Sequence, residues 1–253
     1  MKTRIYLETE CRQGKNRIRD LYSEAPYKFM SPDGENGNLE IIQMSASPGM
    51  LSGDSVEMSL FLREGSAMTY LTQSYEKIFA SKGNPARKNV QITMEKNTAL
   101  TYLPFPVIPF AGSDYESSTI VNMTEGCHLI YGEIFNCGRV GMREKFQMKN
   151  FRSRTRVYFN HRLIFADHTL ICPQQYRYTR AGFWHDFTHC GLLFYYGKKD
   201  GDLIRWIREN RYSGLETGCS RAVGGVSVRI AGRSGDQIYQ YMKQIADSAE
   251  PAV

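Results

Sequence analysis

Between Met44 and Phe146 a strand-turn-strand unit recurs three times, and this repeat restricts the possible folds more than any other feature of the chain. The turns fall at Glu64-Gly65-Ser66, Lys96-Asn97-Thr98 and Glu125-Gly126-Cys127, about thirty residues apart. Alternating runs such as Val56-Met58-Leu60-Leu62 and Val90-Ile92-Met94 precede them, and Ala67–Leu71, Ala99–Leu103 and His128–Tyr131 follow them. Period-two alternation specifies half-buried strands, and a fixed period specifies stacked copies of one supersecondary unit. The expected fold is therefore mainly β: stacked strand-turn-strand coils of β-helix-like or solenoid type, from about Leu39 to Ile171. A fourth unit is expected around a turn at Asn160-His161, between Thr155-Val157-Phe159 and Leu163-Ile164-Phe165.

Outside the repeat, Arg4 to Thr9 and Lys15 to Leu21 read as two strands about a turn at Gln13-Gly14. The stretch from Ser31 to Asn38 has loop chemistry. About two helices are expected near the C-terminus. One is capped by Asp202 ahead of Leu203, Ile204 and Ile207; the other opens with Ser234 and Gln237 in capping-box spacing.

The 253 residues are expected to form a single domain, 1–253. No apolar run approaches the length of a membrane span, and the N-terminal segment passes straight into an alternating strand rather than a signal-peptide core. A cytoplasmic protein is the expectation, with its six scattered cysteines reduced.

A formal charge of +6 suits nucleic acid, an acidic membrane or an acidic protein partner. The densest basic cluster is Arg143, Lys145, Lys149, Arg152, Arg154 and Arg156 with aromatics between. Alternation of Arg152, Arg154 and Arg156 favours the solvated face of one strand over a phosphate-tracking groove.

Carboxylates inside apolar strands are the most informative polar positions. Glu133 and Asp167 each interrupt apolar runs, and Asp54 follows a glycine at a strand entrance. A carboxylate seldom goes inside without compensation, because lost hydration costs several kcal/mol. A salt bridge to Arg139 or Lys77, contact with water and a cation, or a wet strand face would each meet that cost.

His185 and His189 share a face if helical and lie roughly thirteen Å apart if extended. Adjacent Cys127 and His128 on a strand point oppositely and chelate poorly. The segment Leu103-Pro104-Phe105-Pro106-Val107-Ile108-Pro109-Phe110 carries three prolines between large apolar residues. It is either a buried crossover between coils or an exposed apolar ridge that binds a partner through Leu103, Phe105, Val107 and Ile108. Nucleophile-elbow, Walker and dinucleotide-binding glycine motifs are absent from the sequence, so no catalytic residue is assigned.

The ordered succession Ser47–Asp54, Leu71–Ile78, Leu103–Phe110, Tyr131-Gly132-Glu133 and Gly138-Arg139 resembles the urease accessory proteins of the UreD family, also called UreH. The resemblance covers Ala25 to about Leu170 and, more weakly, Val226 to Asp247. Leu71 stands where that family usually has Thr or Ser, and Arg143 where it usually has Gly.

This resemblance implies a non-enzymatic scaffold or metallochaperone that works with apo-urease, a UreF-like helical accessory protein and a UreG-like GTPase. It also implies a hydrated passage for nickel in transit, with Asp54, Glu76, Glu133 and Asp167 at passage-lining positions. No tightly bound cofactor, nucleic acid or membrane is implied. The competing classes are a β-helical enzyme acting on a metal- or carbohydrate-type substrate and a basic nucleic-acid-binding module; fold class alone does not choose among them.

Overall fold

The computed structural model describes residues 1–32, 39–180 and 182–249, so the loop expected over Ser31 to Asn38 lies largely outside the described residues. Stacking of the repeat produces two facing sheets. The first contains β1 (Lys2–Arg12), β2 (Lys15–Ser23), β5 (Ser55–Leu62), β8 (Ala86–Met94), β11 (Asp114–Met123), β13 (Asn150–Phe159) and β14 (Arg162–Ile171), in the order β14-β13-β11-β8-β5-β1-β2. The second contains β3 (Tyr27–Met30), β4 (Leu39–Ser45), β6 (Ala67–Thr72), β9 (Ala99–Leu103), β12 (His128–Asn136), β15 (His189–Tyr196), β16 (Glu216–Ala222) and β17 (Gly225–Gly232), in the order β16-β17-β15-β12-β9-β6-β4-β3. Short strands β7 (Glu76–Ile78) and β10 (Val107–Pro109) pair in parallel along a third side.

Successive coils lie parallel and in register, as in a β-solenoid of about four turns. Strand β5 pairs with β8, β8 with β11 and β11 with β13, while β4, β6, β9 and β12 do the same opposite. In-register stacking places equivalent residues above one another. Tyr70, Tyr102 and Tyr131 form a ladder with ring centroids 4.8 and 5.4 Å apart and near-parallel planes. Offset stacking of this kind adds about 0.5–1.5 kcal/mol per pair beyond burial.

The three turns also stack, with the Gly65 amide donating to the Lys96 carbonyl and the Asn97 amide to that of Glu125, both at 3.0 Å. Each has a left-handed residue at its centre: Gly65 at φ +72°, Asn97 at +58° and Gly126 at +73°. A Cβ on Gly126 would lie 2.1 Å from Asn97 Oδ1, whereas one on Gly65 meets nothing within 4 Å. Gly65→Val is therefore expected to cost about 1 kcal/mol through φ alone, and Gly126→Val about 2 kcal/mol or more. Chemical denaturation of the two variants checks this, the lower midpoint belonging to Gly126→Val.

The expected fourth unit takes another form. β14 turns back at Asn160-His161 and pairs antiparallel with β13 in the same sheet, closing that edge as a hairpin. Antiparallel β15 takes the next place opposite, beside β12, so the solenoid ends where the sheets stop alternating. At the other end β1 and β2 form the expected hairpin about Gln13-Gly14.

Helices α1 (Asp200–Glu209) and α2 (Gly235–Ala249) cover the outer face of the second sheet. Ser234 accepts a hydrogen bond from the Gln237 amide at 3.3 Å, as the capping-box spacing predicts. Asp202 lies within the first turn of α1 rather than at its cap, where it still complements the helix dipole. Two cores result, one between the sheets around Leu7, Leu60, Ile92, Val121 and Phe194, the other between the second sheet and α2 around Ile130, Leu193, Val228 and Ile245. No helix among the described residues is long and apolar enough to cross a membrane.

Candidate functional site

Inward positions of the first sheet change character along the strands. Near the turns they are apolar: Leu60, Ile92, Val121 and Val157 are in register. Four residues earlier the parallel register aligns Thr3, Val56, Lys88, Ser117 and Ser153, and the antiparallel β13–β14 pairing adds Thr169, in one row that is polar except for Val56. One step further, Ala86, Tyr115, Phe151 and Ile171 restore an apolar layer. A polar row thus crosses the molecule between apolar walls, along the axis on which the coils stack.

A cavity of about 150 Å³ occupies this level between the sheets. Asp54, Glu76 and Glu133 line it, with Lys88, Gln43, Tyr102, Ser117 and Thr119. Asp167 stands apart from the lining and continues the polar level at the β14 edge, since Thr155 is its register partner and Thr169 donates to it at 3.3 Å. Three of the four residues that the resemblance assigns to a passage are therefore brought together.

Compensation for these acids comes from groups other than Arg139 and Lys77. Asp54 pairs with the Met1 ammonium at 2.6 Å and accepts from the Leu51 amide at 2.8 Å. Glu76 pairs with Lys88 Nζ at 2.7 Å and accepts from Tyr27 at 3.3 Å. Asp167 pairs with Arg229 of β17. Arg139 is taken by Glu144, and its guanidinium also covers the Phe110 ring at 4.3 Å.

Glu133 differs: it accepts a hydrogen bond from the Ser153 hydroxyl and forms no ion pair among the described residues. Burial raises its carboxyl above the ordinary range; Ser153 opposes the shift, and Asp167 adds to it. Lys88 is held charged well above its ordinary range: burial opposes the charge, and the Glu76 carboxylate together with Tyr102, Tyr115 and Tyr70 outweighs burial. Tyr102, between these charges, is pushed up to about 12 by burial.

A pH prediction follows from Glu133. Its folded carboxyl holds the proton to a higher pH than the unfolded one, so stability is lost as pH rises past the ordinary carboxylate range. Glu133→Gln carries no such loss. Its unfolding midpoint should exceed that of the parent at pH 7–8 and converge with it on acidification, as urea titrations across pH would reveal.

The other candidate sites separate. His185 sits exposed in a turn beside Asp186, while His189 opens β15 buried against Thr188 (2.8 Å) and Asn136 (3.4 Å). Burial lowers His189 to about 4. Cys127 faces the inter-sheet core and His128 bonds the Ala249 carbonyl at 3.2 Å. Among the described residues no group of three or more His, Cys, Asp and Glu side chains converges to hold a metal ion.

Of the crossover residues Leu103, Phe105, Val107 and Ile108, the first is buried and the other three are half-buried. Leu103 is buried in the helix-side core, and Phe105 stacks on Tyr239 of α2 at 4.3 Å. Val107 packs toward the inter-sheet core, and Ile108 is half-buried in a shallow hollow with Phe110 and Met142. At Leu103 and Phe105 the chain covers this proline-rich crossover with its own C-terminal helix. Arg152, Arg154 and Arg156 do point outward, Arg152 toward Glu116 at 3.4 Å and Arg154 toward His168 at 3.5 Å.

Reasoning from sequence overlooked Lys88 and the tyrosine hydroxyls. Their signal was present: Ala86-Lys88-Val90-Ile92-Met94 alternates inward, which puts a lysine on the core face of β8.

A family model described as UreD urease accessory protein matches residues 1–253. The chain belongs to this family. Curated relatives agree over nearly the full length. A urease accessory protein UreD from Acetivibrio thermocellus is 30% identical over 250 residues, covering 96% of this chain and 95% of that protein. A UreH from Helicobacter hepaticus is 29% identical over 236 residues, 92% of each chain, and a UreD from Flavobacterium johnsoniae is 26% identical over 254 residues, 97% and 91%. Against the family pattern, Arg143 has φ +61°, a left-handed backbone that the usual glycine adopts more readily.

Proposed function

We propose that this chain is a non-enzymatic scaffold of urease maturation that works in the cytoplasm. It binds apo-urease, a UreF-like helical accessory protein and a UreG-like GTPase, and conducts nickel towards the urease active site without retaining it. The observation that carries this reading is the polar level between the sheets, where Asp54, Glu76 and Glu133 line one cavity and Asp167 extends the level to the sheet edge.

Carboxylate, hydroxyl and water ligands spaced along a path exchange a metal ion faster than a converging set of imidazoles or thiolates would. Asp54, Glu76 and Asp167 are already ion-paired, which makes them poor general bases and favours conduction over glycoside or metal-dependent hydrolysis. Two of the three outward arginines of β13, Arg152 and Arg154, are engaged with Glu116 and His168, which favours a solvated strand face over a nucleic-acid groove.

Affinity isolation from urease-expressing cells tests the scaffold: the GTPase and the helical accessory protein should co-purify, and their absence would refute it. Glu133→Gln with Asp167→Asn tests conduction. That variant should assemble normally while urease recovers less nickel; full nickel content would refute conduction by these acids.

A further inference from the structure

Lys88 is out of place in a route for a divalent cation. It projects from β8 into the inter-sheet space, is 7% exposed, lines the cavity and lies with Nζ 2.7 Å from Glu76. A fixed positive charge in a low-dielectric enclosure repels any cation that approaches the same carboxylate. The surrounding groups are oxygen donors: Glu76, Gln43, Glu133 and the hydroxyls of Tyr27 and Tyr102.

Two of these donors are short of partners. Glu133 has the Ser153 hydroxyl and no ion pair among the described residues, and Tyr102, 3% exposed, lines the cavity without a hydrogen bond to any described side chain. A hydroxyl facing open space in a polar cavity is a ready ligand for water or an ion. The lysine stem is flexible and its ammonium is a compact point charge, so it can leave Glu76 without disturbing the strand that carries it.

We propose that the Lys88 ammonium is a tethered cation filling the cation position at Glu76, so that a hydrated divalent transition-metal ion binds there only in exchange for it. The device keeps the cavity charge-compensated when no metal is present and makes metal residence brief when it is. This inference rests on the conduction reading above, but its test requires neither urease nor the accessory partners.

Nickel chloride, with magnesium chloride as a control, is titrated into the purified full-length parent, Lys88→Met and Lys88→Met with Glu76→Gln. Binding is followed by calorimetry and by the shift in unfolding temperature. Lys88→Met should gain one nickel site at least tenfold tighter than any in the parent, and the double variant should lose that gain. Should Lys88→Met be unfolded without metal, nickel should restore its folding transition. Parent-like affinity in Lys88→Met, failure of nickel to restore its fold, or equally tight binding by the double variant would each overturn the proposal. The nickel content of urease in Glu133→Gln, Asp167→Asn cells reports on conduction separately, so either idea can fail alone.

Discussion

Lys88→Met without added metal is expected to lose about 3–5 kcal/mol of folding stability, the loss typical when one partner of a buried ion pair is removed. The side chains of Lys88 and Glu76 are only 9% and 15% exposed, so Glu76 would be left with the Tyr27 hydroxyl and no counter-charge. Adding Glu76→Gln removes the stranded charge. The double variant should regain most of the stability, because replacing both members of a buried pair by neutral groups is often close to neutral. Denaturant midpoints for the parent, both single variants and the double variant complete the cycle, and the coupling energy between the two sites should be of the same order as the single-variant loss. Near-additive effects would mean that solvent screens the pair and that the cavity is wetter than its lining suggests.

Filling the polar level should have the largest effect on function. Glu133→Phe places an aromatic ring between the sheets, where Glu133 now faces Ser153 and lines a cavity of about 150 Å³. Phe135 and Phe151, stacked at 4.7 Å beside this position, show that the neighbouring layer already accommodates rings, so the coils should still stack. Urease from cells carrying this variant should contain less nickel and show lower activity than urease from Glu133→Gln cells, with the accessory complex intact. Measuring nickel in the purified urease and the composition of the isolated complex in the same cells separates blocked conduction from failed assembly. Normal nickel content with the ring in place would refute conduction along this level.

Both expectations depend on residues that differ in how far the chain announces them. Glu133 and Asp167 stand out in sequence because they break apolar alternation, and β12 and β14 carry them where that alternation indicates. Lys88 obeys the same alternation, but a lysine in a charged neighbourhood such as Ala86–Asn89 reads as solvated until the opposite sheet is in place. Its partner Glu76 lies on a three-residue strand with too few positions to define a period. The proline crossover shows the same limit from the other side. Its apolar residues fit exposure or burial equally well, and only α2, more than a hundred residues later in the chain, covers Leu103 and Phe105.

The sequence by itself determined the stacked coils, because a repeat with alternating strands and left-handed turn residues at Gly65, Asn97 and Gly126 has few other ways to bury its apolar face. It also determined the two C-terminal helices and the outward arginines of β13, which follow from local periodicity and capping. Only the tertiary structure decided which polar residues meet. The in-register parallel pairing that aligns Lys88, Ser117 and Ser153, and the facing of the two sheets that sets Glu76 and Glu133 along the same cavity, are contacts between residues tens of positions apart. It also decided that the fourth turn closes the edge as a hairpin, since Asn160-His161 serves either a coil or a hairpin until neighbouring strands claim the open positions. Local chemistry fixes a period and a face; charge pairing across an interior is fixed by the packing that brings the faces together.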